Sequence, residues 1–387
     1  MKEAKPPLPY RVVVFAGSGG VGKTTTAAAF ALREAMKGMH VLCMTVDPSK
    51  RLADSLGLSM QKPEAQRVSP GLFKKSGLVC NGELTALMLD RKHTFDNLIR
   101  RFASSAAQRD RIFNNKFYQY ISTSLAGTQE YMALEKLLTV ISDERYDLVV
   151  LDTPPTSNAL DLLDAPIRLV DAIDSPVARW FVRMLEGDRP LGLLGRGAVY
   201  ILKGLSRFTG AEFLRQVAEF VAEINDLFGG FRQRADRAYQ VLSGPDIAFI
   251  VVTSPATQAI ADAAYFCRKL NAYRIEAKGI IVNRVHSFPR LPKLDIAEIE
   301  ALVDESVHEH PNSRDLVVRM KQAMDDALAI AEADSVGIKR LAKQIGRDMS
   351  YTEVPALDQD VHDLSHLAEV AGYLSHVFPL PQTRNRG

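Results

Sequence analysis

The chain predicts an α/β fold, a mostly parallel sheet covered by helices with a helical insertion, and three observations carry that reading. Short apolar runs alternate with helical patterns down most of the 387 residues. Two of those runs, Leu148–Leu151 and Ile247–Val252, are near-continuous Val, Ile and Leu, as strands buried on both faces are. A glycine-rich turn joins the first run to the first helix. Strands are expected at Arg11–Gly17, His40–Val46, Glu83–Leu89, Asp147–Asp152, Ile247–Thr253, Gly279–Asn283 and Ser350–Val354. The alanine-rich stretch Thr24–Met36 reads as the first helix. No internal repeat is visible, so the chain is not a tandem pair of equivalent domains.

Two segments break the rhythm. From Ala165 to Gly244 the pattern is almost wholly helical. Leu214, Val217, Val221, Ile224 and Phe228 form an apolar stripe there, widened by Phe213, Phe220 and Leu227. A stripe that wide exceeds what one packing seam requires. The alternative is that these helices simply pack on one another and on the sheet; Gly187, Gly192, Gly195, Gly197, Gly204 and Gly210 lie within the same segment, as a rearranging lid would need and as an ordinary irregular loop also has. The second segment, about Ser287 to Asp348, alternates charges along its helices and reads as a solvent-exposed hairpin or a docking face.

Composition bounds the chemistry. With 47% hydrophobic and 24% charged residues the chain can bury a substantial core, and a net charge of +2 supplies no global field for a nucleic acid partner. Cys43, Cys80 and Cys267 are far apart and include no C-x-x-C pair, which excludes a cysteine-spaced zinc site and points to a reducing compartment. The eight histidines are not expected to cluster at ligand spacing. Met1–Tyr10 is polar, and no run reaches the roughly 18 apolar residues of a membrane span. A cytoplasmic protein without a transmembrane segment is expected.

The turn after the first strand reads Gly17-Ser18-Gly19-Gly20-Val21-Gly22-Lys23-Thr24, followed by Thr25. Glycines at these positions let successive backbone N–H groups face phosphate oxygens. Lys23 reaches the β- and γ-phosphates, Thr24 offers its hydroxyl to Mg²⁺, and the helix start adds positive partial charge. The chain therefore reads as a binder of a nucleoside triphosphate on a P-loop NTPase sheet.

Two further strands end in acids at the carboxyl edge of the sheet, where open α/β sheets hold ligands. Asp152, in Asp152-Thr153-Pro154-Pro155-Thr156, follows four apolar residues and has the position of an acid that holds Mg²⁺ or its water. Asp47, in Asp47-Pro48-Ser49-Lys50-Arg51, sits where a carboxylate can orient the attacking water. The alternative for either acid, less favoured than the functional one, is a helix cap or strand-end turn. Asp90, after the third strand, is expected to cap the following helix rather than to act in catalysis.

Together these segments resemble the ArsA/GET-type ATPases, which include arsenite-pump subunits and targeting factors for tail-anchored membrane proteins. The phosphate loop Gly17–Thr25, a first switch at Asp47-Pro48 and a second switch at Asp152–Thr156 carry the resemblance. So do a Gly-x-x-Glu helix start at Gly127-Thr128-Gln129-Glu130 and the segment Ile281-Val282-Asn283-Arg284. The resemblance implies that Asp47 activates water, that Lys23 and Thr24 hold phosphate and Mg²⁺, and that Asn283 selects adenine. It also implies that the loop Val354-Pro355-Ala356-Leu357 closes over the base, so ATP is the expected nucleotide. Asp47 and Lys23 are then the catalytic candidates; Thr24, Asp47 and Asp152 are the metal candidates.

Five segments follow from this reading: an ATPase core over 1–164, a helical insertion for a hydrophobic client over 165–244, core again over 245–286, the charged insertion over 287–348, and the last strand, adenine loop and C-terminal helix over 349–387.

Two departures qualify the resemblance. The family's first loop lysine, which reaches across a dimer, is Ser18 here, predicting slow turnover or a substitute cation such as Lys50 or Arg51. The zinc-holding C-x-x-C pair is absent, so a homodimer, or a heterodimer with a related ATPase, would rest on packing and nucleotide contacts. The expected function is a nucleotide-gated chaperone or targeting factor for a hydrophobic helix, possessing a membrane-associated partner in some settings. An arsenite-type oxyanion pump subunit and a ParA/MinD-like positioning ATPase are the alternatives. Metalloid stimulation needs clustered thiols, and the prolines in Phe378–Gly387 preclude a continuous basic terminal helix.

Overall fold

β1 (Val12–Ala16) lies inside an eight-stranded sheet of order β3-β4-β2-β5-β1-β6-β7-β8. The computed structural model describes residues 8–47, 49, 51–59, 64–124, 128–154, 164, 165, 168, 171, 215–217, 219, 220, 222, 223, 231–287, 296–302, 313–346 and 349–378. The other strands are β2 (His40–Thr45), β3 (Gln66–Arg67), β4 (Glu83–Met88), β5 (Leu148–Asp152), β6 (Ile247–Thr253), β7 (Ala277–Val285) and β8 (Tyr351–Pro355). All neighbours pair in parallel except β3, which runs antiparallel to β4.

The seven expected strands appear within two residues of their expected limits. β3 is an addition. Its two residues, Gln66 and Arg67, carry no apolar alternation to signal a strand; they pair at the edge with Ala86 and Thr85.

Strand alternation divides the core into two layers. Val13, Phe15, Cys43, Leu148 and Val150 face α1 (Lys23–Met36), α2 (Arg51–Ser55) and α12 (Leu364–Tyr373). Val12, Val14, Met44, Val149 and Leu151 face the other layer. That layer comprises α4 (Arg91–Phe102), α5 (Ala106–Asn114), α6 (Lys116–Ser124), α7 (Thr128–Ile141), α8 (Phe231–Leu242), α9 (Thr257–Ala272) and α11 (Ser313–Ile345). α3 (Pro70–Lys75) and α10 (Ile296–Leu302) are two further helices, and a 3₁₀ turn, Leu374–His376, follows α12. Each fully buried Val, Leu or Ile contributes about 1.5–3 kcal/mol, so the central strands are the firmest part of the molecule and their ends are fixed platforms.

Asp90 caps α4 as expected, accepting the His93 N–H at 2.8 Å. The charged insertion contains α10 and the 33-residue α11, which pack together. Gly337 lets α11 approach α9 closely, since a Cβ there would stand 2.8 Å from the Pro255 carbonyl oxygen. Most of 165–244 lies outside the described residues, as do Pro48, Lys50, Gly127 and Pro155–Thr156. No helix among the described residues is long and apolar enough to cross a membrane.

Candidate nucleotide site

The phosphate loop leaves β1 and enters α1 through three glycines with positive φ, of which two show why glycine is needed. Gly22, at φ 89°, is the helix N-cap, and a Cβ on it would stand 2.2 Å from Asn283 Nδ2. Gly17 passes so close to β6 that a Cβ would stand 2.1 Å from the Val252 carbonyl oxygen. No side chain caps α1, and its first turn contains no acid. Its leading N–H groups are therefore open to an anion.

Lys23 sits at the head of this helix, 6% exposed, with Nζ donating to the Ser18 carbonyl oxygen at 2.8 Å. Burial lowers its pKa, opposed by the carboxylates of Asp152 and Asp47. Both acids are thus electrostatically coupled to this ammonium group.

Sheet register assembles the next part. Thr45 and Asp152 are direct partners in the β2–β5 pairing, and each lies two residues beyond one that faces α1, Cys43 and Val150. Their side chains therefore project toward the phosphate loop. Asp152 Oδ2 accepts from Thr24 Oγ1 at 2.6 Å and from Thr45 Oγ1 at 2.8 Å, while Asp152 Oδ1 is buried without a partner. Asp152 is wholly buried. Burial pushes its carboxyl up to about 6 against the opposing effects of the Thr24 and Thr45 hydroxyls and of Lys23.

The chain then turns at Asp47, whose N–H donates to Thr45 Oγ1 at 3.2 Å. Asp47 Oδ1 accepts the Ser49 N–H at 2.9 Å, a side-chain turn that shapes the loop. Ser49 Oγ is buried and unpartnered. On the opposite layer, Gln129 at the start of α7 donates to the Val46 carbonyl oxygen at 2.7 Å, and the adjacent Glu130 is 8% exposed with Oε2 unpartnered. The end of β5 is fastened to β1: Thr153 donates to the Phe15 carbonyl oxygen through Oγ1 at 2.9 Å and through its backbone N–H at 3.2 Å.

Asn283 arrives from β7. Gly279, Ile281 and Asn283 share one face, the first allowing the Val377 carbonyl close and the second lying in the α1-side core. Asn283 Nδ2 donates to the Val21 carbonyl oxygen at 2.9 Å. Beyond it, Asn283 pairs with Val354 and Val285 with Pro355. Arg284, at φ 60°, is the extra residue of a bulge that brings Pro355 alongside the end of β7.

The structure thus gathers Gly17–Thr25, Thr45, Asp47, Asp152 and Asn283 at the carboxyl edge of the sheet. Pro355, half-buried, ends the neighbouring strand β8. Arg51 is exposed at the start of α2, and Lys50 lies outside the described residues. Sequence reasoning gave no role to Thr45 or Gln129. The signal for Thr45 was available, a polar residue closing an apolar strand as Asp152 does. The expectation that histidines do not cluster is corrected: His362, Asp363 and His366 stand together beyond β8. Their spacing, four residues across the start of a helix, carried the signal.

Residues 10–293 match the family model of the anion-transporting ATPases. The chain belongs to that family. Among similar proteins, an "ATPase get3" of Pyrenophora tritici-repentis is 26% identical over 76% of this chain and 83% of its own length. An "ATPase ASNA1 homolog" of Plasmodium vivax is 22% identical over 94% of this chain and 88% of its own length. A "putative arsenical pump-driving ATPase 2" of Aquifex aeolicus is 25% identical over 71% and 80%.

The donor set of this family member suits a magnesium nucleotide. An uncapped helix start beside a lysine fits phosphate, and a hydroxyl bonded to a buried carboxylate with one free oxygen fits a hard cation. The thiols are arranged otherwise. Cys43 lies in the α1-side core, Cys267 in the opposite core, and burial raises the pKa of each, that of Cys267 to about 12.

Proposed function

We propose that this chain is a Mg²⁺-dependent ATP hydrolase whose nucleotide state governs a hydrophobic surface for a client helix. One observation supports the hydrolase part above all: the hydroxyl of Thr24 bonds Asp152 beside the open start of α1, joining the phosphate and cation donors in one place. In this reading the N–H groups of Gly17–Thr25 and the Lys23 ammonium hold the triphosphate. Thr24, Asp152 and Asp47 hold Mg²⁺, which when bound neutralises phosphate charge. Asp47 orients the attacking water, while Asn283 and Pro355 take the adenine.

The client part rests on the apolar stripe of 211–228 and on the resemblance to tail-anchor targeting factors. In sequence Asp152-Thr153-Pro154 precedes that insertion, and Thr153 is bonded to Phe15. Triphosphate occupancy at the strand ends is thereby passed to the insertion. The purified protein should retain a detergent-free hydrophobic helix in one nucleotide state and release it on change of nucleotide. Absence of capture with ATP, ADP and no nucleotide alike would remove the client function and leave the hydrolase.

The replacement of the family's loop lysine by Ser18 makes turnover slow. Ser18→Lys should raise kcat roughly tenfold or more where two copies meet loop to loop, and leave it unchanged in a monomer. Steady-state rates measured across a protein dilution series distinguish the two. The oxyanion-pump alternative has less support, since Cys43 and Cys267 occupy opposite layers. Stimulation of the ATPase by arsenite would revive it.

A further inference from the structure

The carbonyl of Val46 stands where the β2–β5 ladder runs out of donors. Thr45 and Asp152 are the last paired residues, and the Val46 N–H still donates to the Asp152 carbonyl oxygen at 3.1 Å. Thr153 gives its N–H to β1 on the other side, so the next β5 donor directed at β2 belongs to position 154. That residue is a proline, which has no N–H. On the β4 side the Leu89 N–H goes to the Thr45 carbonyl instead. Val46 is 2% exposed, and a carbonyl in such surroundings has to be paired.

Gln129 supplies the donor. Its Nε2 donates to the Val46 carbonyl oxygen at 2.7 Å. The opposite orientation of the amide would set two oxygens against each other, so the acceptor fixes which end faces it. Gln129 lies in the first turn of α7, whose Tyr131, Met132, Leu134 and Leu137 are buried in the same core layer as Val46. The amide is thus presented from an anchored helix.

We propose that Gln129 is a positioning residue for ATP hydrolysis: its side-chain amide replaces the ladder donor that Pro154 lacks, and so fixes the peptide group that carries Asp47. The proposal rests on the reading of Asp47 as the group that orients the attacking water.

The peptide between Val46 and Asp47 is held at both ends. Its carbonyl takes the Gln129 bond, and its N–H donates to Thr45 Oγ1 at 3.2 Å, while the Thr45 hydroxyl itself donates to Asp152 Oδ2 at 2.8 Å. The Gln129 bond is the shorter of the two ties. Without it the peptide plane turns about the longer one and carries the Asp47 carboxylate with it. A misplacement of about 1 Å costs on the order of a hundredfold in rate, so partial release of this peptide should cost about tenfold. Nucleotide affinity should hold, because the phosphate donors are the Gly17–Thr25 loop and Lys23, which Gln129 does not support.

The test is a double-mutant cycle on the full chain. Gln129→Met keeps the length of the side chain and removes the donor. With Mg·ATP its kcat should fall about tenfold or more, and its ATP dissociation constant should stay within about twofold of the wild type. In the nucleotide-free protein, hydrogen exchange over residues 45–49 should quicken. Pro154→Ala returns a backbone N–H to position 154, so in that background Gln129→Met should cost no more than about twofold. Wild-type turnover and exchange in Gln129→Met, a loss of ATP affinity in proportion to rate, or an equal loss with and without Pro154→Ala overturns the proposal. Asp47→Asn, measured alongside, separates the two readings. If it hydrolyses ATP as fast as the wild type, the role of Asp47 fails; if it is slow and Gln129→Met is not, only the role of Gln129 fails.

Discussion

Asp47→Asn is expected to retain ATP binding and to hydrolyse ATP at least about a hundredfold more slowly, the size of a lost general base or water-orienting group. The conservative effect on binding follows from the loop geometry. Asp47 shapes its turn through one oxygen, which accepts the Ser49 N–H at 2.9 Å, and the asparagine carbonyl accepts the same bond. The second tie, from the Asp47 N–H to Thr45 Oγ1, belongs to the backbone and survives any substitution. Lys23, Thr24 and the uncapped helix start are untouched. What disappears is a negative charge that acts on the Lys23 ammonium, beside the proposed γ-phosphate position. Single-turnover hydrolysis and an equilibrium nucleotide titration separate the two effects. Equal turnover removes Asp47 from the reaction, and equal loss of binding makes it a structural element of the loop.

Asp152→Asn should move stability in opposite directions with and without Mg·ATP. In the apoprotein the buried carboxyl titrates at about 6, above its ordinary 3.8, with burial as the dominant cause. The folded state thus holds this proton more tightly than the unfolded chain. Stability from this group is greatest below the unfolded pKa, falls as pH rises through the interval to about 6, and its loss is complete above that. A shift of this size corresponds to about 3 kcal/mol as an order of magnitude. Asparagine keeps an acceptor for the Thr24 and Thr45 hydroxyls. The variant should therefore melt above the wild type at pH 7.5 in EDTA, and the difference should shrink as pH falls toward 4. With Mg·ATP the order reverses, because the wild type gains the cation and the variant does not. A variant less stable than wild type at pH 7.5 in EDTA would show that the ionised carboxylate is a net support of the apo fold.

The central strands were legible because each is a short run of Val, Ile, Leu, Ala or Phe with few polar interruptions, and burial on both faces demands that composition. The phosphate loop was legible for a related reason, since only glycine tolerates the approach of Gly17 to Val252 and of Gly22 to Asn283. Thr45 was harder to read. Its place depends on the register that sets it directly beside Asp152, and register is a long-range property. The bulge at Arg284 was unreadable in the same way, because an arginine at φ 60° carries no local sequence mark. β3 was too short to carry a pattern, and it exists because β4 offers an edge. His362 and His366 stand four residues apart across the start of α12, and they come together only because the helix begins between them.

Under the proposed function, triphosphate occupancy at the strand ends is transmitted through the segment after Asp152 to the helical insertion. Hydrogen exchange on Asp47→Asn, which holds ATP without consuming it, compared with the same protein in ADP, tests it most directly. Altered exchange is expected in the phosphate loop, in residues 152–163 and across 165–244. A change confined to the phosphate loop, with residues 165–244 exchanging identically in ATP and ADP, would contradict it.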